Sequence, residues 1–232
     1  YNGGPFVIEN SLSFDGSDIY IARLKADGSN LVASTYIGGS DIDGLNVSSS
    51  LKYNYGDQFR GEISLDELGN VYVSSTTYSN NFPTANPAQA SLNGIQDAVL
   101  IKLPPLLNTL TWSTFFGGNQ QETGNAVAIG DMEYVYLAGG TNSNTLPMNT
   151  GLDLSFNGGI SDGYVAKFNK LNGALEAGTF MGLNEYDQTY FVQLDINSDV
   201  YVYGQTESAW AISPGCYGTP NSGQFIRKYN MD

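Results

Sequence analysis

Acidic residues with a fixed spacing are the feature of this sequence that could most directly carry chemistry. Three pairs of acids occur along the chain, and the two members of each pair are 25 residues apart. Repeated oxygen ligands, one from a strand start and one from a hairpin end, are consistent with a calcium site. The alternative is structural, because acids cap turns and pair with nearby bases. The pairs are Asp18 with Asp43, Asp97 with Glu122, and Asp162 with Asp187.

Two observations favour the structural interpretation of the acid pairs. The sequence contains no D-x-D-x-D-G loop of the kind that binds calcium. Two carboxylates alone make a poor cage for an ion that takes about six to eight oxygen ligands. We therefore predict no metal site and no cofactor, with calcium kept as the alternative.

Basic residues recur in step with the acids. Arg23, Lys102 and Lys167 each follow the first acid of a pair by five residues, and Lys228 continues the series. These are four of only nine basic residues, so their shared position predicts a repeated role. We expect structural ion pairs with the recurrent acids, or hydrogen bonds to a neighbouring repeat unit. The alternative is a ring of cations around a channel, which would bind anions.

Two tryptophans are candidates for ligand binding. Trp112 and Trp210 could stack on sugar rings, although aromatic residues in strands normally pack in a core. Trp210 is the stronger candidate, because it lies where the repeat pattern of the chain breaks down. Cys216 is the single cysteine of the sequence, so it is interpreted as an incidental free thiol.

Composition excludes several familiar classes of function. The chain has 232 residues and no histidine, which removes histidine-based catalytic triads and histidine-ligated metals. A net charge of −14 opposes binding to the phosphate backbone of a nucleic acid. Paired carboxylates could hydrolyse glycosides, but acids that recur in every unit indicate architecture rather than one active site. We therefore predict that the protein is not an enzyme and binds no nucleic acid.

The sequence predicts neither a membrane span nor a leader. No run of about 18 apolar residues occurs, so we expect no transmembrane segment. The first residues have neither the basic start nor the apolar run of a signal peptide. We expect any export signal to lie outside this segment.

Three sequence blocks recur in the same order and divide the chain into units. The first block is SDIYIARLKADG, QDAVLIKLP and SDGYVAKFNKLNG, and the second is STYIGGSDID, STFFGGNQQE and GTFMGLNEYD. The third block contains Tyr72, Tyr136 and Tyr201, which are 64 and 65 residues apart. Self-similarity at such a period predicts a repeat architecture. The units are 17–95, 96–160 and 161–222, with partial units at 1–16 and 223–232.

Each unit contains four short segments rich in β-branched and aromatic residues, separated by turn sequences. Four strands per repeat predict an all-β fold, a β-propeller built of four-stranded antiparallel blades. About three complete repeats are visible and three blades do not close a ring, so we expect part of a larger propeller. The alternative is a fourth blade built jointly by residues 1–17 and 223–232. Strands are predicted at 19–25, 31–37, 62–66, 70–76, 99–103, 110–116, 126–130, 134–140, 164–168, 175–181, 191–195, 199–205 and 225–229.

A polar insertion makes the first unit longer than the others. It covers residues 48–57 and joins two predicted strands. Polar connections of this kind run over protein surfaces. We therefore expect a surface loop or an extended hairpin.

The three blocks resemble a known bacterial repeat. The patterns D-x-x-(V/I)-x-(K/R)-(L/F), S-T-(Y/F)-x-G-G and V-Y-(V/L)-x-(S/G)-x-T-x-S-N-x-(F/L)-P are similar to those of the β-propeller repeat family abbreviated SBBP. Residues 17–103, 96–168 and 161–229 carry the resemblance. The third repeat departs from the pattern at Gly182-Leu183 and at Trp210-Ala211.

The resemblance implies a role at the bacterial surface. Members of that family are typically parts of large exported proteins, often in gliding-motility and adhesion systems with a dedicated outer-membrane secretion route. The family has no shared catalytic residues to transfer. We therefore expect a secreted, cell-surface scaffold or protein-interaction module. Its partners would be other domains of the same protein or other surface and secretion proteins.

Two other functions remain as alternatives. The second hypothesis is a carbohydrate-binding adhesin that binds glycans through loops 48–61 and 78–95 and the face near Trp210. The third is a glycan-active enzyme that uses acidic residues. Binding to a glycan that depends on an exposed aromatic residue would favour the adhesin, and turnover of a polysaccharide would favour the enzyme.

Overall fold

The computed structural model describes residues 6–9, 16–130 and 133–229 of the chain. Most of the predicted partial unit 1–16 lies outside these residues. The described parts of the two partial units, Phe6–Glu9 and Gln224–Tyr229, belong to different sheets and do not form the joint blade that was the alternative. The described residues consist mainly of strands and turns, with one short 3-10 helix at Tyr55–Phe59. The strands are β1 (Phe6–Glu9), β2 (Ile19–Leu24), β3 (Leu31–Gly38), β4 (Glu62–Leu65), β5 (Val71–Thr77), β6 (Asp97–Leu103), β7 (Trp112–Phe116), β8 (Ala126–Ile129), β9 (Tyr134–Thr141), β10 (Asp162–Asn169), β11 (Leu175–Met181), β12 (Asp187–Leu194), β13 (Val200–Thr206) and β14 (Gln224–Tyr229).

The strands form four sheets. Two are complete four-stranded antiparallel meanders, β4-β5-β6-β7 and β8-β9-β10-β11. They are flanked by two three-stranded sheets, β1-β3-β2 and β12-β13-β14, and β1 joins the first of these as a parallel neighbour of β3. The prediction of an all-β fold with four-stranded antiparallel sheets is confirmed. Among the described residues, β1 is the strand that the repeat pattern does not predict.

The sheets are out of phase with the sequence repeat by two strands. β4 and β5 belong to unit 17–95, whereas β6 and β7 of the same sheet belong to unit 96–160. Similarity between repeats fixes the period of the structure but not the point at which one sheet ends and the next begins. Short turns and longer segments join the strands within a sheet, whereas three links join one sheet to the next. The links are residues 39–61, 117–125 and 182–186.

Alternating side chains bury both faces of the central strands of each complete sheet. In β5, Val71 and Val73 pack in a core shared with the first sheet, whereas Tyr72 packs in a core shared with the β8–β11 sheet. Successive residues of a strand point to opposite faces, so a strand that is apolar on both faces must be covered on both sides. Central residues of the three cores are Ile37, Val99 and Phe115, then Leu100, Phe116 and Phe168, and finally Val165, Val192 and Val202.

The four sheets therefore pack face to face in the order of the chain. The first strands of successive sheets approach one another, since β4 lies against β8 and β8 lies against β12. The amide of Val127 in β8 donates to Glu62 Oε2 in β4 over 2.9 Å. Asn125 Nδ2, just before β8, donates to the carbonyl of Thr189 in β12 over 2.8 Å. These contacts bring three sheets together along the edge formed by their first strands.

The insertion 48–57 is partly exposed, as expected of a surface loop, but it also contacts residues of later units. Ser48 Oγ donates to Gln121 Oε1 over 2.7 Å. Asn54 Nδ2 donates to the hydroxyl of Tyr190 in β12 over 2.8 Å. A polar sequence predicts an exposed segment as long as its hydrogen-bond partners are unknown. In the structure, Ser48 and Asn54 are paired with polar residues of the second and third units. The insertion therefore ties the first unit to the last sheet.

A buried carboxylate organises the end of the insertion. Asp57 is fully buried and accepts hydrogen bonds from the amides of Tyr53 (2.9 Å) and Asn54 (2.7 Å). Arg60 Nε donates to Asp57 Oδ1 over 2.8 Å. The guanidinium of Arg60 also lies 3.9 Å from the ring centroid of Tyr190. Charge and packing together fix the insertion against β12.

Leu51 is the apolar anchor of the insertion, and Leu51→Ala is expected to lower the free energy of unfolding by about 2 kcal/mol. The side chain is fully buried, so its removal loses apolar burial and leaves a cavity. Urea denaturation measures the change. Lys52→Ala is the control, because Lys52 is exposed in the same loop. Equal stability of the two variants would contradict an anchoring role for Leu51.

Candidate functional site

The three acid pairs lie where one sheet is linked to the next. The first acid stands at the beginning of β2, β6 or β10, and the second acid follows β3, β7 or β11. In every copy the amide of the second acid donates to the carbonyl of the residue before the first acid, over 2.7–2.8 Å. This backbone bond brings the two acids together and accounts for their constant spacing. The first acids are Asp18, Asp97 and Asp162, and the second acids are Asp43, Glu122 and Asp187.

Glycine makes room for each acid pair. A Cβ atom on Gly117, which follows β7, would lie 2.3 Å from Asp97 Oδ1 and 2.6 Å from Glu122 Oε2. Gly38 and Gly182 occupy the same position in the other copies, where a Cβ atom would lie 2.0 Å from Oδ1 of the first acid. The carboxyl groups therefore reach a space that only glycine leaves open. This close approach explains why Gly38, Gly117 and Gly182 stand at the end of a strand in the three copies of the second block.

Hydroxyl groups of the third sequence block bind the second acid of each pair. Thr141 Oγ1 donates to Glu122 Oε1 over 2.5 Å. Around Asp43, Ser79 Oγ donates to Oδ2 over 2.9 Å and Thr77 Oγ1 donates to Oδ1. In the sequence, these hydroxyl residues form the T-x-S pattern of the third block. The spacing and charge of the acids alone predict no role for them. The hydroxyl pairs are Thr77 and Ser79, Thr141 and Ser143, and Thr206 and Ser208.

The first acids of the second and third pairs each keep one buried oxygen without a donor. Asp97 Oδ2 accepts from Gln89 Nε2 over 2.7 Å, and Asp162 Oδ2 accepts from the amide of Asn157 over 2.7 Å. In both residues Oδ1 has no hydrogen-bond partner, although both side chains are fully buried. An unpaired buried oxygen is most costly when it carries charge. Because Asp97 Oδ1 and Glu122 Oε2 both lie beside Gly117, a proton shared between these carboxyl groups would satisfy them.

Burial shifts the titration of these acids towards neutral pH. Burial raises the pKa of Asp43 and of Asp97 to about 6. It raises the pKa of Glu122 and of Asp162 to about 7, and the carboxyl groups of Asp97 and Asp187 add to these two shifts. Burial is the largest cause in all four, and for Asp43, Glu122 and Asp162 a neighbouring carboxylate adds to it because like charges repel. At least one carboxyl group of each pair therefore has a pKa raised above its ordinary value.

The hydrogen-bond donors around the second acids oppose calcium binding to the same oxygens. Gly118 N donates to Glu122 Oε2 over 2.8 Å, and Leu183 N donates to Asp187 Oδ2 over 2.7 Å. Amide and hydroxyl hydrogens directed at these oxygens occupy lone pairs that a calcium ion would otherwise use. Within residues 16–130 and 133–229, no group of three aspartate, glutamate, cysteine or histidine side chains is arranged to hold a metal.

The recurrent bases do not pair with the recurrent acids. The ion pairs formed within the described part of the chain join Arg60 to Asp57, and Lys228 to Asp195 and Asp199. Strand geometry explains the difference from the prediction. An acid and a base five residues apart in one strand are separated by roughly 16 Å and point to opposite faces of the sheet.

The first two bases bind carbonyl groups of the following sheet instead. Arg23 Nη1 donates to the carbonyl of Pro105 over 2.9 Å. Lys102 Nζ donates to the carbonyl of Lys170 over 2.7 Å. Lys167 lies 3.7 Å from the centroid of a tyrosine ring. Hydrogen bonds to a neighbouring unit, the other role expected for these bases, are therefore formed by Arg23 and Lys102.

The three recurrent lysines also face the recurrent tyrosine of the third block across two paired strands. Lys102 and Lys228 both lie 5.1 Å from the ring centroid of the tyrosine opposite, within the range of a cation–π interaction. Burial lowers the pKa of Lys102 and of Lys167. These contacts oppose the alternative of a cation ring, because the ammonium groups are engaged within and between sheets. The pairs are Tyr72 with Lys102, Tyr136 with Lys167, and Tyr201 with Lys228.

The tryptophans pack within the fold. Trp112 is 1% exposed and its Nε1 donates to a backbone carbonyl of the following sheet over 3.0 Å. Its ring is not accessible to a sugar, which corrects the ligand-binding hypothesis for this residue. Trp210 is partly buried, with Nε1 donating to Asp187 Oδ1 over 3.0 Å and its ring stacked on Phe225 at 4.4 Å between centroids. The guanidinium of Arg227 lies 3.9 Å from the same ring.

A groove of about 690 Å³ lies between the turns of the two complete sheets. It is lined by Asp66, Lys102 and Lys170, among other residues. Asp66 Oδ1 accepts from the amides of Leu68 (3.0 Å) and Asn70 (2.9 Å), and Lys102 is bonded to the carbonyl of Lys170. Asp66, Lys102 and Lys170 are thus engaged with the chain itself rather than directed at a ligand.

No protein-family model matches this chain, and no curated protein is significantly similar to it. Among the helices of the described residues, none is long and apolar enough to cross a membrane. What the chain does must therefore be inferred from its own contacts.

Proposed function

We propose that the chain is a segment of a β-propeller of the SBBP repeat type. It serves as a non-enzymatic scaffold or protein-interaction module of a secreted protein at the bacterial cell surface. Four-stranded antiparallel sheets packed face to face in chain order support the propeller arrangement. The approach of β4, β8 and β12 supports it as well, because the blades of a propeller surround a common channel.

The scaffold role is carried by one observation, which is that the groups able to do chemistry are engaged in contacts within the chain. The acid pairs hold successive sheets together, as shown by the bonds of Asp43 and Glu122 to hydroxyl groups of the neighbouring block. Lys102 is bonded to a carbonyl, and Trp112 is buried. A catalytic site needs groups that are free to meet a substrate. The repetition of these contacts favours architecture.

The outer faces of the two terminal sheets are suited to protein partners. On the first sheet, Tyr20 and Tyr36 are exposed and lie 4.9 Å apart between ring centroids. On the last sheet, Tyr201 is 36% exposed, whereas the corresponding Tyr72 and Tyr136 are buried beneath the next sheet. Exposed apolar faces of this kind mark interaction sites. The partners fitted by such faces are other β-sheet domains of the same protein or other surface and secretion proteins.

A carbohydrate-binding function is the second candidate, and it is favoured by the aromatic residues of loop 48–61. Tyr55 is 98% exposed, and Phe59 is exposed four residues later. Exposed aromatic rings on a fixed loop are able to stack on sugars. The insertion, rather than Trp112, is therefore the place where an adhesin function would lie.

A glycan panel distinguishes the two candidates. We expect the 232-residue chain to bind no glycan and to hydrolyse no polysaccharide, and an antibody against it to label intact cells of the source bacterium. Glycan binding that is lost in Tyr55→Ala, and kept in the exposed control Leu68→Ala, would replace the scaffold role with the adhesin. Labelling that requires permeabilised cells would contradict the surface location.

A further inference from the structure

The two ends of the sheets differ in charge. Antiparallel strands place the three links, residues 39–61, 117–125 and 182–186, at one end of the sheets, which we call the link end. The short turns, such as residues 66–70, lie at the opposite end, which we call the turn end. The four strands that carry the recurrent bases begin at the link end and finish at the turn end, and they are β2, β6, β10 and β14.

Most basic residues lie at the turn end. Among the nine bases of the chain, Lys52 and Arg60 belong to link 39–61. Arg60 is paired with the buried carboxylate of Asp57, so Lys52 is the exposed base of the link end. The other bases lie in the second half of the four strands or directly after them, and they are Arg23, Lys25, Lys102, Lys167, Lys170, Arg227 and Lys228.

Acidic residues are concentrated at the link end instead. The acid pairs lie there, and Asp41, Glu185 and Glu207 add exposed carboxylates. Strand geometry is the cause, because an acid at the start of a strand and a base five residues later are roughly 16 Å apart. Each unit therefore places its acids at the link end and its base at the turn end. Since the arrangement recurs with the units, it is not a product of where the described residues begin or end.

The link end also presents aromatic rings. Tyr55 in the insertion is 98% exposed, and Tyr53 is 51% exposed. The ring of Tyr53 stacks on that of Tyr186 with centroids 4.6 Å apart, and its hydroxyl group donates to Glu207. Exposed rings are thus held beside an exposed carboxylate. Lysine and arginine side chains bind to both groups, through cation–π interactions and charge-assisted hydrogen bonds.

We propose that the link end is a docking surface for a lysine- and arginine-rich segment of a partner protein. Charge complementarity selects this occupant, because the surface combines exposed carboxylates with aromatic rings and has few bases. An acidic partner would be repelled by the same charges. The inference rests on the protein-interaction role proposed above, and it specifies the chemistry of the partner and the surface that the partner meets.

The fluorescently labelled peptide KRSKRSKRSK is the probe that tests this inference, with QQSQQSQQSQ as the neutral control. We expect saturable fluorescence anisotropy for the basic peptide and at least about tenfold weaker binding of the neutral one. Binding should weaken by at least about tenfold between about 20 mM and about 300 mM sodium chloride, since the contacts are solvent-exposed. Amide hydrogen exchange should slow in residues 39–61 and 182–186 and stay unchanged in residues 66–70.

Two matched triple variants separate the link end from the general negative charge of the chain. The substitutions Asp41→Asn, Glu185→Gln and Glu207→Gln, made together, are expected to weaken binding about tenfold. The control removes the same number of charges from exposed residues at the turn end, and its binding should stay within about twofold of the wild type. The control substitutions are Asp27→Asn, Glu67→Gln and Glu133→Gln.

A second pair of variants tests the surface in the opposite direction. Lys52→Gln removes the exposed base of the link end and is expected to tighten binding about twofold. Lys25→Gln makes the same change on an exposed side chain at the turn end and should leave binding unchanged.

The outcomes that would overturn the inference are distinct from those that would overturn the proposed function. Absence of saturable binding, equal binding of both peptides, or equal loss in the two triple variants would each contradict docking at the link end. Spermine that displaces the peptide as well as unlabelled KRSKRSKRSK does would assign the surface to small polycations and overturn the inference too. The glycan panel and the labelling of intact cells test the proposed function separately.

Discussion

Glu122→Gln is expected to raise the free energy of unfolding by roughly 3 kcal/mol in mildly alkaline buffer and to leave it nearly unchanged in acid. Burial raises the pKa of Glu122 to about 7 from an ordinary value of 4.5. Glutamine has the shape of the protonated acid and carries no charge. Its one carbonyl oxygen can accept from the amide of Gly118, and its NH2 group can donate to the hydroxyl oxygen of Thr141. The substitution therefore removes the cost of ionising a buried group, with one hydrogen bond kept and the other reversed in direction.

The sign of the pH dependence follows from the raised pKa. A carboxyl group whose pKa is higher in the folded chain than in the unfolded chain binds its proton more tightly when folded. The stabilisation from Glu122 is complete below its ordinary pKa of 4.5 and is lost as the pH rises to about 7. Asp43, Asp97 and Asp162, with pKa values raised to about 6 or 7, act in the same direction. The wild type is therefore expected to lose stability across this interval.

Urea denaturation from acidic to mildly alkaline pH measures both curves. Glu67→Gln is the control, because it makes the same chemical change on an exposed side chain in the β4–β5 turn. If the wild type gains stability as the pH rises, or if Glu122→Gln destabilises the chain in alkaline buffer, the carboxyl pair holds no shared proton. A fall in melting temperature on addition of a chelator would then support the calcium alternative.

The strands could be predicted from the sequence because their signals are local. Alternating and β-branched residues at 70–76 and 99–103 predict two strands, and the structure has them as β5 and β6. The meeting of Asp97 with Glu122 could also be anticipated, since a constant spacing in a repeat indicates a constant contact. Both inferences depend on residues that are close in sequence or repeated in register.

The partners of the charged residues could not be predicted, because they depend on segments that are distant in the chain. Asp97 and Lys102 are close in sequence, but their odd spacing in one strand places them on opposite faces. Lys102 meets Tyr72 through the register of β5 with β6. Asn54 of the insertion finds Tyr190 at a separation of 136 residues, for which the sequence contains no local signal.

Gly139→Ala is expected to lower the free energy of unfolding by about 4 kcal/mol, a loss in the upper range for a single substitution. Gly139 lies in β9, and a Cβ atom there would be 1.6 Å from the carbonyl oxygen of Thr123. That oxygen accepts from the hydroxyl of Tyr164 over 2.8 Å, and the amide of Thr123 donates to Gly140 over 2.9 Å. The added methyl group must therefore push away the link 117–125, which carries Glu122.

Gly56→Ala is the matched control for this clash, because a Cβ atom on Gly56 would meet no atom within 4 Å. Urea denaturation should show a stability close to that of the wild type for Gly56→Ala and a much lower midpoint for Gly139→Ala. A loss below about 1 kcal/mol for Gly139→Ala would show that the link moves without much cost. Water would then reach Glu122 through the displaced link in the Gly139→Ala chain. In that chain, the stability gained from Glu122→Gln should be smaller than in the wild type. Both substitutions therefore test the rigidity of the link 117–125. Gly139→Ala places a methyl group against the link, and Glu122→Gln removes the charge that the link buries.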